Sequence, residues 1–132
     1  MIGNIIHILL IHFVADFIFQ SREMGLKKGK DIKWLSIHVL FYSMITSIFW
    51  GIYFGCNTFF PVFFLTFISH WVTDFLTSKA SGYSYLKMLE YKDKDQLLEH
   101  KWQYNFWGVI GFDQLIHSIT PLLTYNYLIH TI

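Results

Sequence analysis

The sequence predicts an all-α polytopic membrane protein, with four transmembrane helices arranged as two copies of one helical hairpin. Three observations carry that expectation. First, 54% of the 132 residues are hydrophobic and only 14% are charged, against the roughly 25% charged of soluble domains. Second, four apolar stretches lie at about residues 2–20, 34–54, 59–78 and 105–130, each near the ~20 residues that a helix needs to cross a hydrocarbon core of about 30 Å. Third, HFVADF at 12–17 returns as HWVTDF at 70–75. The helices of a soluble bundle would carry a broad polar face, whereas these stretches offer only narrow polar stripes.

Residues 2–20 lack the basic leader and small-residue cleavage site of a signal peptide, so a mature helix is expected there. The connection at 21–33 holds or borders Arg22, Lys27, Lys28, Lys30 and Lys33, and leads into the second stretch, 34–54. GCNT at 55–58 is short and free of basic residues. In the third stretch, 59–78, Thr66, Thr73 and Thr77 extend a polar stripe suited to packing against neighbouring helices. The connection at 79–104 alternates Lys79, Lys87, Lys92, Lys94 and Lys101 with acids and leucines, as a helix lying at the headgroups or a solvated loop would. Trp102, Tyr104 and Trp107 are expected interfacial anchors before and within the fourth stretch, 105–130.

All ten basic side chains fall in or beside the two long connections. The positive-inside rule therefore puts those connections in the cytoplasm and both termini outside, in a cell inner membrane. No Pro-, Gly- or Ser-rich linker divides the chain, so 1–132 is read as one integral membrane domain. A net charge of +1 gives no reason to expect nucleic acid. Cys56 is the sole cysteine, which excludes an internal disulfide and a thiolate cluster.

Each HxxxDF is followed by a basic connection and then a helix with a further histidine, His38 or His117. Two-span units share one orientation, so the repeat would be a parallel one. Residues i and i+4 lie on one helix face, so His12 with Asp16, His70 with Asp74, and Asp113 with His117 each aim an imidazole and a carboxylate into one space. Carboxylates at membrane depth cost about 2.5–3.5 kcal/mol each at a helix centre, and such residues mark function by default. A divalent ion of the zinc, manganese or iron class would neutralise the carboxylates and take the imidazoles, with His12, Asp16, His38, His70, Asp74, Asp113 and His117 as the candidate ligand set. A proton relay for transport and plain His–Asp pairing between helices are the alternatives.

With a metal, Asp16, Asp74 or Asp113 would serve as base in hydrolysis of a phosphorylated or lipid-linked substrate at the cytoplasmic face. Arg22 and Lys79 stand just past the two motifs, where they would hold an anionic substrate or simply anchor the inner ends of the spans. Gln20 and Ser78 occupy equivalent places one turn beyond Asp16 and Asp74, suited to weak ligation or to orienting ligands. His7, His100 and His130 are expected at interfaces or in loops. The bilayer is the expected partner, and four helices enclose so little pathway that a transporter would call for a homo-oligomer. An anchoring or regulatory role without chemistry is the third reading.

HFVADFIFQ at 12–20, LSIHVLFY at 35–42, HWVTDFLTSK at 70–79 and FDQLIH at 112–117 together resemble a family of small bacterial and phage membrane proteins known as a domain of unknown function. The likeness covers nearly the full length and implies a membrane fold without a reaction. The same His and Asp arrangement is distantly similar to membrane-bound metal-dependent hydrolases. The family's HxxxD plus Gln is complete at His12, Asp16 and Gln20, while Ser78 stands where the second Gln would be.

Overall fold

The computed structural model describes residues 2–131, with the side chains of residues 2, 26 and 129–131 excepted, so the His130 side chain lies outside the described residues. Helix is the only regular structure among them. Helix α1 (Ile2–Phe13) passes into a π-helical turn at Val14–Ile18, and α2 (Arg22–Lys27) is a short amphipathic piece. Helix α3 (Ile32–Phe54) is followed by a 3-10 turn at Cys56–Thr58, then α4 (Phe59–Tyr91) and α5 (Gln96–Thr131). Helix α4 packs chiefly against α5 and α3, and α1 against α5 and α3.

Capping explains where the helices begin. Ser21 accepts from the Met24 amide at 3.2 Å, Asp31 from the Lys33 amide at 2.8 Å, and Asp95 from the Leu97 and Leu98 amides at 3.1 Å, each satisfying a donor that helix geometry leaves orphaned. Gly55 ends α3 at φ 107°, a backbone conformation that L side chains rarely adopt. Asp93 turns α4 into α5 at φ 62°, a left-handed position that aspartate tolerates better than most residues.

Helices α4 and α5 are longer than the apolar stretches at 59–78 and 105–130. The 79–104 segment expected as a connection is mostly their continuation, and the link shrinks to residues 92–95. The reason is helix propensity: the segment is rich in Lys, Glu, Leu and Gln, and its apolar and charged residues can face opposite sides of a helix pair. At 33 residues, α4 is about 50 Å long. Of the four stretches read as spans, α3 and the run Cys56–Tyr91 are long and apolar enough to cross a membrane; Gly3–Ile18 is a shorter apolar helix, and the fourth stretch, 105–130 within α5, is not among those apolar enough.

The interior is inverted relative to a soluble bundle. Fourteen polar or ionisable residues are buried among those described, against nine hydrophobic ones and Pro121, while Phe60, Phe64, Ile68, Val72 and Leu76 run exposed down one side of α4. The interior is also layered. Ile8, Trp50, Val62 and Leu128 pack into a small apolar cluster at the Gly55 end. Next come the buried hydroxyls of Ser43, Thr46, Ser47, Thr66 and Thr124, and beyond them, toward the lysine-rich end, the histidines and aspartates.

Candidate metal centre

The π turn decides how the first HxxxD is used. Its bond from the Phe19 amide to the Val14 carbonyl, 3.2 Å, is of the i→i+5 type, which widens the turn and is frequent at functional sites. Asp16 sits inside it and His12 before it, so the pair does not act as one unit. His12 Nδ1 lies 3.0 Å from the Tyr42 hydroxyl, whereas Asp16 turns to other helices. His70 and Asp74 lie on regular helix, with Nε2 3.6 Å from Oδ1.

Two groups of three could each hold a cation: Asp16, His38 and His70, and His70, Asp74 and His117, all buried. They share His70, so a single ion is the natural occupant. His38 Nε2 is 3.1 Å from Asp16 Oδ1, 3.2 Å from His70 Nε2 and 3.4 Å from Asp74 Oδ2. His70 Nε2 is 3.6 Å from Asp16 Oδ1 and 3.6 Å from Asp74 Oδ1. A tetrahedral ion with bonds of about 2.0–2.1 Å separates its ligand atoms by about 3.3–3.4 Å. The two groups therefore each offer one carboxylate and two imidazoles, Asp16 with His38 and His70 in the first and Asp74 with His70 and His117 in the second.

The chemistry of the donors fits a cation too. Asp16 Oδ1 is buried without a hydrogen bond of acceptable geometry, although two ring nitrogens stand close by. An ionised carboxylate left so in a dry interior carries a penalty that a shared positive charge removes. Two imidazole nitrogens facing each other at 3.2 Å can hold only one proton between them.

Further contacts extend from the second group. His117 Nε2 is 2.7 Å from Asp74 Oδ1 and 3.3 Å from Asp113 Oδ1. Asp113, half-buried, accepts from Thr77 Oγ1 and, at 3.2 Å, from Gln114 Nε2. Rings stack in a column, with Tyr42 on His70 at 3.9 Å and His70 on His117 at 4.0 Å between centroids. Such partners orient ligands and tune the ion they hold.

The family follows from the whole chain. A family model described as "Protein of unknown function (DUF3307)" matches residues 5–132. The chain belongs to this family. No curated protein and no solved structure matches it. The family match spans every residue of the cluster and adds no reaction to it.

Of the seven expected ligands, five lie in the two groups; Asp113 stands next to His117, and His12 belongs to neither. Arg22 and Lys79 are exposed, the latter with Nζ 3.8 Å above the Phe75 ring, and neither reaches the cluster. The cation at the site is Lys28, whose Nζ donates to Asp74 Oδ2 at 2.9 Å and lies 3.4 Å from His38 Nε2. Nothing in its spacing distinguishes it from its neighbouring lysines. Tyr42 was more findable, since it stands four residues after His38 on the same helix face. Gln20 and Ser78 both line a cavity of about 520 Å³ beside the cluster, shared with Asp74, Asp113 and Lys28. His7 stacks on Tyr53 at 5.2 Å, and His100 is exposed.

Proposed function

We propose that this protein is a four-span inner-membrane metalloprotein, with both termini outside, whose His/Asp cluster binds a divalent cation of the zinc, manganese or iron class. The observation that carries the reading is the buried group Asp16, His38 and His70, with its ligand atoms 3.1–3.6 Å apart, sharing His70 with a second buried group of His70, Asp74 and His117. The inverted interior and the apolar outer surface support the membrane setting, since only lipid makes such an exterior favourable. Two copies of HxxxDF in the two halves support a duplicated hairpin, with the copies diverged in use: the first gives only its aspartate to the centre.

The reaction the site suits best is hydrolysis of a phosphorylated or lipid-linked substrate at the cytoplasmic face. A divalent ion there would lower the pKa of a bound water and polarise the substrate oxygen. Asp113, outside both ligand groups and lining the cavity, is the carboxylate best placed to accept that water's proton. The transport reading draws support from the stacked column of Tyr42, His70 and His117. Against it stands the apolar cluster of Ile8, Trp50, Val62 and Leu128, which fills the bundle on the far side of the hydroxyl layer.

Cobalt(II) substitution tests the reading by spectroscopy. The purified protein is expected to give the intense visible bands of a four-coordinate site, and Asp16→Asn to weaken them strongly. A weak, octahedral-type spectrum unaffected by Asp16→Asn would remove the centre as proposed.

A further inference from the structure

The cavity beside the cluster has a built character that the metal reading does not use. It lies between the 20–30 connection, α4 and α5, and its size of about 520 Å³ falls within the range of small-ligand sites. Its polar lining is Asp74 and Asp113 from the cluster, Lys28 and Lys30 from the connection, and Thr77 and Ser78 from α4. Phe106, Val109 and Ile110 of α5 supply apolar lining on the same helix as Asp113. Gln20 also lines it, and the Gln20 Oε1 atom is buried without a partner.

Glycines keep the space open. A Cβ on Gly82, which lines the cavity, would meet nothing within 4 Å. Gly29 instead brings the connection close to α4, where its Cβ would stand 3.4 Å from the Ser78 carbonyl. That close approach sets the backbone beside Lys28 against α4, within reach of Asp74.

Resting on the metal reading, we propose that this cavity receives the phosphate headgroup of a membrane phosphomonoester, with the hydrocarbon lying along Phe106, Val109 and Ile110. Four charges line the cavity, two lysines and two aspartates, so an anion is not favoured until a divalent ion offsets the carboxylates. A bound ion also repels the Lys28 ammonium, which sits 2.9 Å from Asp74 and 3.4 Å from His38. Freed from Asp74, that ammonium remains on the cavity wall, where a phosphate oxygen can accept from it. A phosphate offers several strong acceptors to a lysine, a serine hydroxyl and a metal together. The apolar lining adds affinity only for a phosphate that carries a hydrocarbon chain.

The test is binding of dihexanoyl phosphatidic acid, inorganic phosphate and dihexanoyl phosphatidylcholine to the detergent-purified full chain, with and without zinc, measured by calorimetry. Wild type and Gly82→Leu are compared, because a Cβ at this position meets nothing within 4 Å and leucine favours the helix while adding bulk to the cavity lining. The expected result is phosphatidic acid binding about tenfold or more tighter than either other probe, strengthened by zinc and lost by at least about tenfold in Gly82→Leu, whose zinc stoichiometry is unchanged. Lys28→Met should lose phosphatidic acid affinity as well. Equal binding in Gly82→Leu and wild type would overturn the proposal, as would equal affinity for phosphatidic acid and phosphatidylcholine. Phosphate bound as tightly as phosphatidic acid would replace the lipid with the free anion and equally overturn it. Failure of the metal reading shows separately, as no zinc uptake by either protein.

Discussion

Lys28 and His12 exchange the roles that their positions in the sequence suggest. His12 heads a perfect HxxxD, yet the widened turn after it sends its ring to the Tyr42 hydroxyl and leaves Asp16 alone with His38 and His70. A π turn leaves no reliable trace in residue order, because it depends on which carbonyl an amide selects. Lys28 reads as one of several inner-end anchors, and only the packing of Gly29 against α4 brings its ammonium to Asp74. That ammonium meets the same carboxylate and imidazole that a metal would, so the two cations compete. Lys28→Met should therefore bind zinc about tenfold or more tightly than wild type in competition with a chelating dye. Affinity unchanged or weakened would mean that the lysine supports the site instead of opposing the ion.

Helix boundaries were only partly legible. Hydropathy marks the apolar length of α4 and α5 but not their charged extensions, which are helical because each helix gives the other a surface to pack on. The turns are clearer, since capping residues and glycine act locally. Gly55 holds φ 107°, and a Cβ there would come within 2.8 Å of Asn57 Oδ1. Gly55→Ala should destabilise the protein by about 1 kcal/mol or more, read as a lower thermal midpoint in detergent. A midpoint equal to wild type would show that the α3–α4 turn relaxes freely.

The layers order the molecule from end to end, from an apolar plug near Gly55 through hydroxyls and the His/Asp cluster to a cavity among lysines. Convergence of the ionisable residues was readable in part: the i, i+4 spacing fixes a shared face for His70 with Asp74 and for Asp113 with His117, whereas the π turn splits His12 from Asp16; which atoms meet was not readable, because it depends on how the helices turn against one another. On the proposed membrane setting, the positive-inside rule would make the lysine-rich end cytoplasmic. An impermeant maleimide should label exposed Cys56 in intact cells, and Lys30→Cys in a Cys56→Ser background only after permeabilisation; the reverse pattern would invert the topology. The most direct measurement is the metal content of protein purified without chelators, for wild type, Asp16→Asn and His12→Ala. About one ion per chain is expected in wild type and in His12→Ala, and strong loss in Asp16→Asn. Less than about a tenth of an ion in wild type, or equal content in all three, would contradict a metal centre that draws on Asp16, His38 and His70.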